Sequence, residues 1–156
     1  AAAISAGTVQ AAVDYGVNGP VVLAQSGIST TQISLDTYLD IPSNGLVTNE
    51  QTIKNDPDLV QRMVNATLKS IQYTLDHPDE AFAIAIKAVP EAGGANEAAN
   101  RAVFDASLPY WMTQGREQAG ATEITAWQNA SDLMERIGLT KGREPAQEMF
   151  TNQFVK

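Results

Sequence analysis

Histidine occurs once in the 156 residues, in the stretch TLDHPDEAFA, where His77 stands beside Asp76, Asp79 and Glu80. An imidazole among three carboxylates could ligate a metal or work as an acid–base pair. A metal would need further ligands at suitable spacing, such as a second histidine, and the chain has none. A Ser–His–Asp triad would have to use the same imidazole. The remaining acids are spread through caps and polar stripes, so a paired-carboxylate site is possible without being signalled.

The elements around His77 give it a simpler task. Asp56 and Pro57 are an N-cap and a first-turn proline, and Asp58 complements the helix dipole. Val60, Val64, Leu68, Ile71 and Leu75 follow at spacings of three or four, with Arg62, Asn65, Lys69, Gln72 and Asp76 on the opposite stripe. This pattern predicts a long amphipathic helix with one buried face. Pro78 cannot easily continue it but suits the first turn of a new helix, where Asp79 and Glu80 meet unpaired N–H groups. The stretch therefore reads as a helix-to-helix corner, with Phe82, Ile86 and Val89 carrying the apolar stripe onward.

Ahead of this helix the texture differs. Val9, Ala11, Val13 and Tyr15 alternate with more polar neighbours and predict a short strand, after an alanine-rich helix ended by Gly7. Asn18, Gly19 and Pro20 supply turn chemistry, and VVLAQSG predicts a short helix closed by Gly27. ISTTQISL and LVTN read as further strands, separated by a break at Pro42 and Gly45. Beyond the corner, Gly93–Gly94 precede a helix through Phe104, and LPYWMTQG is a loop carrying Tyr110 and Trp111. Thr122 is placed to cap a last long helix in which Ile124, Trp127, Met134 and Ile137 share a face and which Gly138 ends. Pro145 opens a short terminal helix with Met149 and Phe150. Trp127 reads as core, whereas Trp111 suits a core or a pocket wall equally. Asn65-Ala66-Thr67 and Asn129-Ala130-Ser131 match the glycosylation pattern but fall in predicted helices, where chance explains them better.

Composition narrows the partners. The net charge is −8 and no lysine–arginine cluster occurs, which argues against nucleic acid and against an anionic membrane surface. With no cysteine, disulfides, thiolate zinc sites, iron–sulfur clusters and Cys nucleophiles are excluded. No stretch approaches the ~20 apolar residues of a membrane span. The opening AAAISAG lacks the basic start and apolar core of a signal peptide, so a mature, cytosolic or partial chain is expected. No phosphate-binding glycine loop or Gly-x-Ser-x-Gly elbow is present.

Order and spacing carry a family resemblance. SAGTVQAAVDYGVNGPVVLAQSGI resembles the late segment of periplasmic solute-binding proteins of ABC importers, where a G-x-V-D-A-A strand leads to a ligand-facing turn and a helix. YLDIPSNGLVTNE is similar to the crossing back to the first lobe in the branch that binds the thiamine pyrimidine precursor. IKNDPDLVQRMVNATLKSIQYTLDHPDEAFAIAIKAVPE resembles the helical pair that follows, including its His-Pro-acid-acid-Ala corner. The resemblance covers essentially the whole chain; its motifs are weak singly and fairly specific as an ordered set.

The resemblance implies an α/β chain, part of a two-lobed periplasmic-binding-protein fold of type II, with few short strands and mostly helices in the later two-thirds. Residues 1–37 would be a remnant of the second lobe, 38–44 the crossing and 45–156 the later part of the first lobe. Members have roughly twice this length, consistent with two domains, so a partial chain is expected, and exposed apolar surface where partner strands belonged predicts a homodimer. The implied function is solute capture for an importer: a thiamine-pyrimidine-precursor-like molecule is held between lobes and passed to an inner-membrane ABC permease. The place would be the periplasm or a lipid-anchored extracellular position. No catalytic residue, metal or cofactor is implied. The implied ligand contacts are Tyr15, Asn18 and Tyr38, an aromatic face for stacking and an amide for a polar edge; each also has a structural reading, as core, turn former and hinge packing. Relatives often carry an acid before the proline where this chain has Gly19, which bears on ligand identity. Two other readings stand beside the binder. One is a thiamine-pyrimidine biosynthesis enzyme of the same family, which uses a histidine and a cysteine-rich stretch; the other is a helical interaction module.

Overall fold

A computed structural model describes residues 1–112 and 119–155. Among these residues the regular elements are helical. They are α1 (Ala2–Ser5), α2 (Gly19–Gln25), α3 (Glu50–Asn55), α4 (Pro57–Asp76), α5 (Pro78–Ala88), α6 (Glu97–Ser107), α7 (Ile124–Arg136) and α8 (Ala146–Met149), with short 3₁₀ turns at Leu35–Thr37, Pro90–Ala92, Gly94–Asn96 and Leu108–Met112.

The α/β expectation, and the two-lobed type II arrangement with it, is overturned: no strand forms among the described residues. Residues 9–15, 28–34 and 46–49 are irregular. Alternating side chains make a strand only when a neighbouring strand completes the hydrogen-bond ladder and a core covers the apolar face. Neither condition is met here, and Val13 and Val47 each remain 95% exposed.

The chain divides into two compact units, Ala1–Ile33 with Ile71–Arg116, and Ser34–Ser70 with Glu117–Lys156. In the first, α2 packs on α6 and buries Leu23, which is 2% exposed. The Gln25 side chain donates to the Ala98 carbonyl at 3.2 Å across the same pairing. Helix α5 meets α6 through Phe82 and Phe104, whose ring centroids lie 5.3 Å apart.

In the second unit the long stripe is as expected in spacing: Asp56 Oδ1 accepts the Leu59 N–H at 3.0 Å, and Val60, Val64 and Leu68 are half-buried. Gln61 Nε2 donates to the carbonyl of buried Phe154 at 2.7 Å. Trp127 stacks on Phe150 with centroids 5.5 Å apart and planes 10° from parallel, in line with its reading as a packing residue. Thr122 does not cap α7, whose N-cap is Glu123. Its hydroxyl instead accepts the Trp127 indole N–H at 2.9 Å, and its backbone exchanges two hydrogen bonds with the Asn152 carboxamide. Asn129, read as a chance glycosylation match, donates to the Asp40 carbonyl at 2.9 Å.

Candidate functional site

The His77 corner is structural. Helix α4 ends at Asp76 and α5 begins at Pro78, with His77 as its N-cap. The imidazole leans on Tyr73, ring centroids 4.8 Å apart. The Tyr73 hydroxyl donates to Glu80, and that bond is the chief reason its pKa is raised. Asp79 receives Arg101 Nη2 at 2.6 Å. Asp76 accepts from Gln72 Nε2 at 2.9 Å, so all three acids are engaged by a side chain, and no group of three or more His, Asp or Glu among the described residues could hold a metal.

The site residues implied by the resemblance fall in both units. Tyr15 and Asn18 close one turn: the Tyr15 carbonyl accepts the Asn18 N–H at 2.9 Å, with Gly16 and Val17 between them. Asp14 opens it, its Oδ1 accepting the Tyr15 N–H at 2.7 Å. Asn18 is the N-cap of α2, but its carboxamide makes no capping bond and stays available on the surface. The Tyr15 ring is 60% exposed. Tyr38 belongs to the second unit, where its backbone ends the Leu35–Thr37 turn and its ring is 79% exposed.

Gly19 is buried, and a Cβ built on it would run into the Asp14 carboxylate. Asp14 therefore fills the space in which a side chain at position 19 would begin. A carboxylate stands at this turn even though residue 19 does not supply it.

Two further side chains approach the same turn. A Cβ on Gly16 would lie 3.2 Å from Gln32 Oε1 and 3.8 Å from the Tyr110 hydroxyl oxygen. Gly16 is not one of the glycines with a left-handed backbone, so what its missing side chain supplies is room. By sequence Gln32 belongs to a strand segment, ISTTQISL, and Tyr110 to a distant loop, LPYWMTQG. Their convergence is tertiary, and the only sequence trace of it is the glycine between Tyr15 and Asn18. A shallow hollow of about 340 Å³ in the second unit is lined by Asn49, Gln51, Thr52, Asn55, Asp56 and Leu59. Asn49 and Asp56 are committed there to the N–H groups of Thr52 and Leu59.

The turn thus carries the Tyr15 ring, the Asn18 carboxamide and the Asp14 carboxylate, and Gln32 and Tyr110 approach it at Gly16. Tyrosine rings and carboxamides can stack on and hydrogen-bond a flat polar molecule. The comparisons agree with the class. The pattern described as NMT1/THI5 like matches residues 1–81, and the chain belongs to that family. The riboflavin-binding protein RibY of Chloroflexus aurantiacus is 31% identical over 156 residues, which is 99% of this chain and 44% of that protein. The chain thus spans less than half the length of the curated relative it matches. No solved structure matches it. The resemblance to the solute-binding proteins of this family, read from the ordered motifs, holds.

Proposed function

We propose that this chain binds a small, flat, nitrogen-containing heteroaromatic nutrient, with riboflavin as the first candidate, and serves an ABC importer by handing it to a membrane permease. The observation that carries the reading is the similarity to a riboflavin-binding protein along 99% of the chain. The exposed tyrosines and free amides at the Tyr15–Asn18 turn support it, because stacking faces plus an in-plane hydrogen-bonding edge are what such a ring requires. A thiamine pyrimidine precursor, implied by the motif resemblance, is the second candidate; it too presents a donor beside an acceptor on its ring edge. The role is capture and release, without a bond made or broken, and the place of action is the periplasm or a lipid-anchored extracellular position.

The chain also associates with itself in this reading. Val13 and Ile33 of the first unit are among the most exposed of its large apolar side chains, which a second copy would cover. Native mass spectrometry of protein purified without added ligand, then mixed with riboflavin or, separately, with the aminopyrimidine precursor of thiamine, tests the solute reading. A riboflavin adduct at one per chain is expected. Its absence, for riboflavin and for the aminopyrimidine alike, overturns the reading.

A further inference from the structure

We infer that Gln32 and Tyr110 complete the solute site begun by the Tyr15–Asn18 turn, and that the Gln32 carboxamide reads the imide edge of an uncharged heteroaromatic ring. The inference rests on the solute-binding reading above and adds the residues and the ligand edge that the reading leaves open.

Three observations carry it. First, Gln32 Oε1 and the Tyr110 hydroxyl converge on the bare backbone of Gly16, at 3.2 Å and 3.8 Å from where its Cβ would be. Any larger residue at 16 would crowd that approach, and the Gly16 backbone does not itself demand glycine. Second, Tyr15 and Tyr110 are 60% and 59% exposed, so large aromatic area beside Gly16 is left without cover. Exposed tyrosine faces next to unengaged amides suit a stacked ligand with a polar rim. Third, the ligand's charge is constrained. Asp14 is the ionisable acid of the turn, its carboxylate lying over Gly19, and Asp14, Tyr15, Asn18, Gln32 and Tyr110 include no lysine or arginine. An anionic ligand would meet repulsion from Asp14 that none of these five residues offsets.

The chemistry of the edge follows from the carboxamide. Gln32 offers an acceptor, Oε1, and a donor, Nε2, side by side. A cyclic imide offers the complement: its ring N–H donates to Oε1 while the adjacent carbonyl accepts from Nε2. A site that satisfies such an edge rejects analogues lacking the N–H, because its own polar groups are then left unpaired.

Flavin fluorescence titrations of the full chain with riboflavin and with N3-methylriboflavin, whose imide N–H is replaced, provide the test. Circular dichroism of each variant checks that the helices are intact. The wild-type chain is expected to prefer riboflavin by about tenfold or more. Gln32→Leu should weaken riboflavin by a similar factor and bring the two ligands to equal affinity. Gln32→Glu, which keeps the acceptor that meets the ring N–H but lacks the donor that meets the carbonyl, should weaken both ligands while retaining the preference. Tyr110→Phe should weaken riboflavin by a smaller factor without touching the preference. If Gln32→Leu leaves both affinity and preference unchanged while Tyr15→Ala weakens binding, the role of Gln32 falls and the solute reading stands. If the wild-type chain does not bind riboflavin, the inference falls, and the solute reading falls with it unless the aminopyrimidine binds.

Discussion

Arg101 on α6 reaches the Asp79 carboxylate in the first turn of α5, Nη2 to Oδ1 at 2.6 Å, while its Nε holds Asp105 on its own helix at 2.9 Å. The guanidinium also lies over the rings of Phe82 and Phe104, at 5.3 Å and 5.8 Å from their centroids. Asp105 first, then Asp79, raises the Arg101 pKa further above its ordinary value. One side chain thus joins the helix after the His77 corner to the helix that supports α2 and the Tyr15 turn.

Replacing Arg101 by Met keeps much of the aliphatic packing and removes both ion pairs. Thermal unfolding should begin a few degrees lower at low salt. Because exposed ion pairs are screened by salt, the gap between wild type and variant should close as sodium chloride is raised. An unchanged gap at high salt would assign the loss to packing over the two phenylalanines instead.

Tyr73 makes the corner sensitive to alkali. Its pKa is raised from 10.0 chiefly by donating to Glu80, with burial and the Glu80 charge acting in the same direction. A group whose folded pKa is raised contributes stability in full below its unfolded pKa and loses it as pH rises through the folded value. Wild type and Tyr73→Phe should therefore differ at neutral pH and converge above pH 10.0, by melting temperature across a pH series. A difference that persists in strong alkali would contradict the Tyr73–Glu80 bond as its source.

Gly120 has φ +85°, and a Cβ there would fall 2.5 Å from Leu68 Cδ2. Both strain terms act on Gly120→Ala: the left-handed backbone costs an L-residue about 1–2 kcal/mol, and Leu68 on α4 must shift. Urea unfolding should report a loss of about 1–3 kcal/mol. A neutral result would mean that Leu68 repacks freely.

Sedimentation equilibrium over a tenfold range of concentration tests the self-association. A mass rising toward twice that of the chain is expected. A clean monomer throughout would remove the homodimer.

Helix positions were the legible part of the fold, because their signals are local. The Asp56–Pro57 cap, the stripe from Val60 to Leu75 and the break at His77–Pro78 each depend on residues within a few positions of one another, and each is where the spacing puts it. The strands failed for the opposite reason. Alternation at Val9, Val13 and Tyr15 describes one face of a sheet, while the sheet itself depends on partners elsewhere. Thr122 shows the same limit on a smaller scale: its type suits a cap, but the Trp127 indole five residues on takes its hydroxyl. At the candidate site, Tyr15 and Asn18 were readable as an aromatic and an amide bracketing a turn. Gln32 and Tyr110 were not, since nothing in ISTTQISL or LPYWMTQG says that they converge on Gly16.

The most direct test of the central claim is isothermal titration of riboflavin into the full chain, with riboflavin 5′-phosphate titrated alongside. Saturable one-to-one binding of riboflavin, with the phosphate ester clearly weaker because the Asp14 carboxylate stands at the Tyr15 turn, is the result expected. Heats that never exceed those of dilution, or equal affinity for the two, would contradict the account.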